Sequence, residues 1–435
     1  MHRRIAMISE HASPLCCLGG IDSGGQNVYV DQVARGLGRI GYDVDVFTRR
    51  DADDLPTIVE LAPRVQVVHI KAGPARRVPK EELLPYIDEF SDRMATFCGG
   101  RATYDLAHAN FWMSGLVAAR LKRRCGLPFV ITFHALGKVR RLHQGGADRF
   151  PPQRLAIEGA IMNEADLIIA ECPQDEDDQI RLYGADPCKI HIVPCGFDAA
   201  ELWPIDRAEA RRWLGLDPDE RIVLHVGRMA PRKGVDDAIV AFARLQKRHR
   251  IVARMIVVGG ETDDADPRAT PEIGRLKQIA ADEGVADRVI FTGRRDRQAL
   301  KYYYSAADVF VTAPWYEPFG ITPVEAMACG TPVIGTNVGG IKFTVRDGQT
   351  GFLAPPHDPE ALAEKMAEFF ASPDRAAKMS QQAIRRANDL FTWRQVGRQI
   401  ADVYEQVLTQ QRPAFAESAV DSIPSADASA LSLKG

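Results

Sequence analysis

A chain of 435 residues exceeds what one ordinary hydrophobic core supports, so two domains are expected. Its formal net charge of -3 builds no broad basic field, which removes nucleic acid as a partner implied by charge and makes any anion site a local matter. The eight cysteines contain no C-x-x-C spacing, and no stretch approaches the roughly 20 apolar residues of a membrane span, so a soluble cytoplasmic protein without zinc ribbon or disulfide framework is expected.

The first strand-like run, "RIAMISEH", leads into "LGGIDSGGQNVYV", which packs four glycines into seven residues yet fits neither G-x-G-x-x-G nor the Walker pattern. Val30, Val33, Leu37 and Ile40 then recur at helical spacing with Gly41 as the stop, which predicts a helix opened by Gly24 and Gly25. Free amides and the positive end of the dipole make such an end an anion site. Further short apolar runs follow: "DVDVFTR", "VQVVHI", "DLAHANF", "FVITFH", "LIIAEC" and "IHIVPCG". Runs of this kind alternating with helical patterns are the signature of a parallel α/β sheet. His134 ends "FVITFH"; a lone strand-end histidine is ordinarily a structural residue, and the same holds for His11. The D-x-D triplets Asp43–Asp45, Asp51–Asp53 and Asp217–Asp219 are assigned to solvated surface.

A polar, proline-bearing connection, "FDAAELWPIDRAEARRWLGLDPDE", places a domain boundary near residue 197. A second strand series follows: "RIVLHVGR", "RMIVVGG", "VIFTGR", "VFVTAP", "TPVIGTN" and "GFLAP". Arg228 stands at the end of the first of these strands and Lys233 five residues later; a guanidinium fork and an ammonium can divide a diphosphate between them. In "YEPFGITPVEAMACGTPVIG", Glu317 falls in the loop after "VFVTAP", and Glu325, beyond seven intervening residues, falls inside a short helix. Carboxylates there can accept hydrogen bonds from vicinal hydroxyls, and "PFGI" at a helix N-terminus offers amides to phosphate. From Pro373 to about Gln411 the pattern is helical, and the last stretch, rich in Ala, Ser, Pro and Asp, is expected to be a disordered tail. The reading divides the chain into residues 1–197, 198–389, a C-terminal helix over 390–411, and a tail over 412–435.

Taken together, these segments resemble the retaining glycosyltransferases of family 4, from about residue 3 to residue 410. The resemblance implies the GT-B fold, α/β throughout, with two facing Rossmann-like domains, an interdomain cleft and a C-terminal helix, "TWRQVGRQIADVYEQVL", that crosses back onto the first domain. "GGIDSGGQNVYV" looks like the loop of sucrose-phosphate synthases and of the inositol-phosphate N-acetylglucosaminyltransferases that start mycothiol synthesis. By position, the resemblance implies that Arg228 and Lys233 hold the donor diphosphate, with Gly25 against it from the first domain. It gives Glu325 the ribose hydroxyls, Glu317 the transferred sugar, and the amides of Phe319, Gly320 and Ile321 the phosphates, with Arg294 also on the nucleotide side. His134 would contact the donor sugar at the reacting centre, Asp22 and Asn27 would face the acceptor, and His11, Lys80 and Arg154 would bind it. Phe111 stands where the mycothiol-type enzymes carry Tyr, and Ala135 where they carry Thr. The acceptor therefore stays open between a sugar, a phosphorylated sugar and a related hydroxyl compound.

The implied activity is transfer of a hexosyl group from a nucleotide-diphosphate sugar, with a UDP-sugar as default donor. No resident cofactor is implied, and magnesium is compatible but called for by no group of residues. Partners reduce to small-molecule donor and acceptor, with a homodimer allowed. Two alternatives stand beside this reading. One is a GT-B sugar-nucleotide epimerase or hydrolase, which needs no acceptor; the other is a catalytically silent sugar-nucleotide-binding subunit, expected to have a broken Arg, Lys or Glu set, whereas all are present here.

Overall fold

The computed structural model describes residues 3–15, 24–99 and 103–410. Asp22 and the tail over 412–435 lie outside the described residues. In the first half the strands are β1 (Arg4–Ile8), β2 (Asp43–Arg49), β3 (Ile58–Ala62), β4 (Val65–Ile70), β5 (Leu106–Asn110), β6 (Phe129–Thr132), β7 (Leu167–Ala170) and β8 (Ile190–Ile192). The helices among them are α1 (Gly25–Arg39), α2 (Ile87–Cys98), α3 (Trp112–Cys125), α4 (Gly137–Gln144), α5 (Arg154–Glu164) and α6 (Pro173–Tyr183). The sheet order is β3-β4-β2-β1-β5-β6-β7-β8, parallel except for β3. Its central strands are buried from end to end, as "LAHAN" and "LIIA" require when helices cover both faces.

The second half repeats the plan with β9 (Ile222–Val226), β10 (Arg254–Val258), β11 (Val289–Gly293), β12 (Val309–Thr312), β13 (Val333–Thr336) and β14 (Gly351–Ala354) in the order β11-β10-β9-β12-β13-β14. Its helices are α7 (Arg207–Leu214), α8 (Val235–Lys247), α9 (Pro271–Asp282), α10 (Arg297–Ala306), α11 (Ile321–Ala328), α12 (Ile341–Thr344), α13 (Pro359–Phe370), α14 (Pro373–Leu390) and α15 (Trp393–Gln410). One hydrophobic cluster runs through both halves, joining Val30 and Val33 of α1 and Ile169 of β7 to Phe319, Val324 of α11, and Val396, Ile400 and Tyr404 of α15. Two further clusters fill the outer face of each sheet.

Every strand read from the sequence is present, with β3 added as an antiparallel edge strand. The helical pattern after Pro373 is interrupted at Phe391 and Thr392. Phe391 is fully buried and its carbonyl accepts from Phe197 N at 2.8 Å, while Trp393 N donates to Phe197 O at 3.1 Å. A backbone committed to another segment of the chain cannot also continue an i→i−4 ladder, so one helix becomes two. The pairing lays the two passages between the halves side by side, after which α15 packs on α1 of the first half.

The assignment of all three D-x-D triplets to solvated surface needs one correction. Asp45 is buried, accepting from Arg4 Nη2 and Gln66 Nε2 at 2.8 Å each and from the Tyr104 hydroxyl. Its triplet alternates across a strand, so one carboxylate faces inward and is held by three donors.

Candidate functional site

Both sheets reverse their strand order once, between β1 and β5 and between β9 and β12. In open α/β sheets ligands bind outside the carboxyl ends of strands at such switch points. The glycine loop follows β1, Arg228 and Lys233 follow β9, and Glu317 follows β12.

Lys233 Nζ donates to Glu317 Oε2, with the two side chains only 19% and 13% exposed. Burial pushes the Lys233 ammonium down to about 8; Glu317 opposes that shift, and Arg232 and Arg228 add to it. Burial alone would raise the Glu317 carboxyl, but Lys233, Arg232 and Arg228 outweigh it and hold Glu317 below its usual range. The cluster is thus one carboxylate among three cations, a local field with surplus positive charge that suits a diphosphate. Arg232, whose guanidinium also lies over the Tyr316 ring at 5.2 Å, was passed over in the sequence although it adjoins Lys233 in "PRKG".

Facing this cluster is the N-terminus of α1. A side chain on Gly24 would begin 3.4 Å from the Arg228 guanidinium, and one on Gly25 would begin 3.4 Å from Ile321 Cδ1. The amide end of a first-domain helix therefore abuts both Arg228 and the start of α11. Asn27, expected to face the acceptor, is instead spent within the fold. It is 3% exposed, its Oδ1 accepts from Gly24 N at 2.9 Å and its Nδ2 donates to Ser13 O at 3.0 Å. It shapes the helix start, because the orphan amide of the cap residue needs an acceptor.

Gly320 caps α11, and Ile321 opens it, half-buried. The Phe319 ring is 2% exposed and packs edge-on to Phe391 at 5.9 Å, so only its backbone is available to a ligand. Glu325 is 4% exposed; it accepts from the Tyr304 hydroxyl at 2.9 Å and lies 3.5 Å from Arg297 Nη1. Arg294 sits at the outer end of β11, its guanidinium on Asp263 at 3.0 Å.

His134 has φ +57, an uncommon backbone conformation for a non-glycine residue and one concentrated at functional sites. Its Nδ1 donates to Glu171 Oε1 at 2.7 Å, its Nε2 lies 3.0 Å from Asn110 Oδ1, and its ring meets Tyr29 edge-on at 4.7 Å. Tyr29 in turn is 3.2 Å from Thr132 Oγ1, which His108 Nε2 approaches at 3.0 Å, and His108 Nδ1 is 2.6 Å from the Tyr404 hydroxyl on α15. Burial, with His134 nearby, pushes His108 down to about 3, so this inner histidine is neutral at physiological pH. Glu171 could have been noticed as the polar end of "LIIAEC"; the return of the C-terminal helix was expected, but which of its residues meets His108 depends on how α15 is rotated against the sheet.

On the acceptor side, His11 Nδ1 donates to Glu10 Oε1 at 2.7 Å and its ring meets Phe111 at 4.9 Å. Lys80 opens a single 3-10 turn, half-buried. Arg154 is 1% exposed among Phe111, Trp112 and Phe150, its Nε donating to Glu158 Oε1 at 2.7 Å and its Nη2 to the Ala135 carbonyl. Only Nη1 is left without a partner among the described residues. Glu158 also accepts from Gly137 N, so the Arg154–Glu158 pair anchors the start of α4. Among the described residues no three His, Cys, Asp or Glu side chains gather into a metal-binding group, and no helix is long and apolar enough to cross a membrane.

Comparison with known proteins identifies the family and the fold. The family profile "Glycosyltransferase Family 4" matches residues 23–201 and "Glycosyl transferases group 1" matches residues 206–386. The D-inositol 3-phosphate glycosyltransferase of Acidothermus cellulolyticus is 39% identical over 418 residues, spanning 95% of this chain and 92% of the relative. D-inositol 3-phosphate glycosyltransferase 2 of Catenulispora acidiphila is 36% identical, spanning 94% and 96%. Among solved structures, sucrose-phosphate synthase of Thermosynechococcus elongatus superposes with a TM-score of 0.86 at 34% identity, covering 94% of this chain and all of that one.

Proposed function

This chain belongs to the family 4 glycosyltransferases, with the GT-B fold, and from that premise we propose that it moves a sugar from a nucleotide-diphosphate donor to an acceptor hydroxyl with retention of configuration. The observation that carries the reading is the Lys233–Glu317 pair beside Arg228, opposite the amide end of α1. Arg228, Lys233 and the first amides of α1 and α11 hold the diphosphate, and their charge stabilises it as it departs. Glu317 accepts from hydroxyls of the transferred sugar, Glu325 from the ribose, and His134 contacts the sugar near its reacting carbon. Arg294 lies on the nucleotide side.

The bond from the anomeric carbon to the β-phosphate oxygen breaks while the acceptor oxygen bonds to that carbon from the same face. The acceptor proton passes to the departing phosphate oxygen, so no enzyme nucleophile is needed. Catalysis then rests on orientation and on stabilising the leaving charge. The acceptor is a sugar, a sugar phosphate or a related polyol. The names of the relatives and the unpartnered Arg154 Nη1 support an anionic group there, while Phe111 and Ala135 offer no side-chain hydroxyl to it.

A thermal-shift panel of UDP-, GDP- and ADP-sugars tests the donor, because a ligand of the native state raises its melting temperature by mass action. A UDP-sugar is expected to give the largest shift, and the product formed with it to keep the donor's anomeric configuration by NMR. Absence of a shift with every nucleotide sugar overturns the reading; an inverted product overturns retention.

A further inference from the structure

Four neighbouring strands of the first sheet, β5-β6-β7-β8, each deliver one polar side chain to the carboxyl edge: Asn110, His134, Glu171 and Cys195. These side chains form a single row. Asn110 Oδ1 lies 3.0 Å from His134 Nε2, His134 Nδ1 donates to Glu171 Oε1 at 2.7 Å, and the Cys195 thiol donates to the same oxygen at 3.3 Å. Both ends of the row are anchored. Asn110 Nδ2 reaches the carbonyls of Ile8 and His108 at 3.4 Å each, and burial, with Glu171 beside it, pushes the Cys195 thiol up and keeps it a donor. In the middle, the Glu171 side chain is 5% exposed and its backbone N donates to Asp175 Oδ2 at 3.0 Å.

The row backs onto the interdomain space. A cavity of about 270 Å³ there is lined by Ala135 and Leu136, which follow His134, and by Tyr316, Glu317 and Pro318 of the second domain. The residue after Glu171 also meets that domain, the Cys172 thiol donating to the Pro318 carbonyl at 3.2 Å. The end of β7 therefore touches both places read as sugar contacts: Glu171 holds His134, and Cys172 holds the residue after Glu317. His134 needs such a hold. It occupies a tight turn closed by Ala135 N donating to Phe133 O at 2.7 Å, at φ +57, and strain of this kind persists only where the surroundings over-determine it. An imidazole free to rotate about its side-chain bonds would intrude on a sugar beside the turn or leave it unsupported. Acceptors at both ring nitrogens, with Tyr29 edge-on at 4.7 Å, leave the ring one orientation.

We propose that Glu171 is a positioning residue, its carboxylate fixing the His134 ring for contact with the transferred sugar. The role rests on the glycosyl-transfer reading, in which His134 meets that sugar. Release of UDP from UDP-glucose or UDP-N-acetylglucosamine, whichever gives the larger thermal shift, can be followed with water as acceptor. Glu171→Leu takes the acceptor away from His134 and should lower kcat by about 10²-fold, the scale of a 1 Å misplacement, while the affinity for UDP, which carries no sugar, stays unchanged. Glu171→Gln returns an acceptor oxygen and should recover most of that loss. In a His134→Ala background Glu171→Leu should lower kcat no further, because a residue that acts through the ring has nothing left to position. With histidine labelled at Cε1, the His134 resonance, assigned by its loss in His134→Ala, should shift in Glu171→Leu and return in Glu171→Gln.

Losses that multiply in the double variant are those of a structural residue and overturn the role. Full activity in Glu171→Leu, or a Glu171→Gln variant as slow as Glu171→Leu, overturns it as well. An unmoved His134 resonance does so without reference to activity. Wild-type protein that neither binds nor cleaves a nucleotide sugar is the failure of the glycosyl-transfer reading instead, and it shows before any variant is made.

Discussion

At the scale of single residues, Lys233 decides most. Its ammonium, pushed down to about 8, is charged below that pH and neutral above it, whereas Glu317 is held ionised well into the acid range. The free enzyme should therefore keep its donor affinity from neutral pH to about 8 and lose it above. The measurement is kcat/KM for the donor against pH, which reports groups of the free enzyme; a fall of about tenfold per pH unit is expected on the alkaline side. Lys233→Ala should lower kcat/KM by about 10²–10³-fold, the scale of one lost oxyanion donor, and abolish that alkaline limb, while circular dichroism shows the fold retained. Near wild-type turnover in the variant would refute the diphosphate assignment. Arg154 illustrates the limit of reading residue types: the sequence offers a basic side chain, but the structure commits two of its three nitrogens to Glu158 and Ala135.

At the scale of elements, the loop from β9 to α8 is shaped by one close approach. Gly234 has φ +62 and caps α8, and a Cβ there would lie 1.8 Å from the Ala313 carbonyl oxygen at the end of β12. No side chain fits, so the loop bearing Arg228 and Lys233 is pressed against the strand that leads to Glu317. Gly234→Ala should lower stability by at least ~1–3 kcal/mol, the cost of a strained backbone residue, and weaken donor binding along with it. Thermal unfolding and nucleotide titration measure both, and an unchanged melting temperature with unchanged affinity would show that the contact is not needed. The missed strand β3 has a related cause. Its residues are half-exposed on a sheet edge, and the Pro63-Arg64 turn before β4 lacks the Asn-Gly or Asp-Gly signal of a hairpin.

At the scale of the whole molecule, the domains are tied together in several places, two of which bear on their relative motion. One is the paired backbone at Phe197 and Phe391–Trp393, from which α15 returns to α1; the other is the set of side chains around Tyr316 on the cavity side. The first lies where both passages between the domains run, the natural place for a hinge, and the second bridges the cleft, so it is expected to favour a closed form. Tyr316→Ala removes the ring stacked on His143 and the hydroxyl bonded by Gln144. The variant should populate a more open form, with a larger radius of gyration by small-angle scattering without ligand and a return toward the wild-type value with donor bound. Identical scattering from both proteins would mean that these contacts do not hold the closed form.

What the sequence determined by itself was the architecture and the chemical inventory. Short apolar runs alternating with helical periods specify parallel sheets because strands covered on both faces must be apolar throughout, and strand ends at a switch point place glycines at a helix start near Arg, Lys and Glu. Positions such as Arg228, Lys233 and Glu317 were legible because strand ends at a switch point are fixed by local pattern and topology. Tertiary structure alone decided how each polar group is spent. Asn27 and Glu325 are bonded within the fold, Tyr404 reaches His108 across 296 residues, and Asp175 and Asp178 become part of an interdomain cavity. Hydrogen bonds and desolvation depend on which surfaces meet in space, and periodicity along one chain does not encode that meeting.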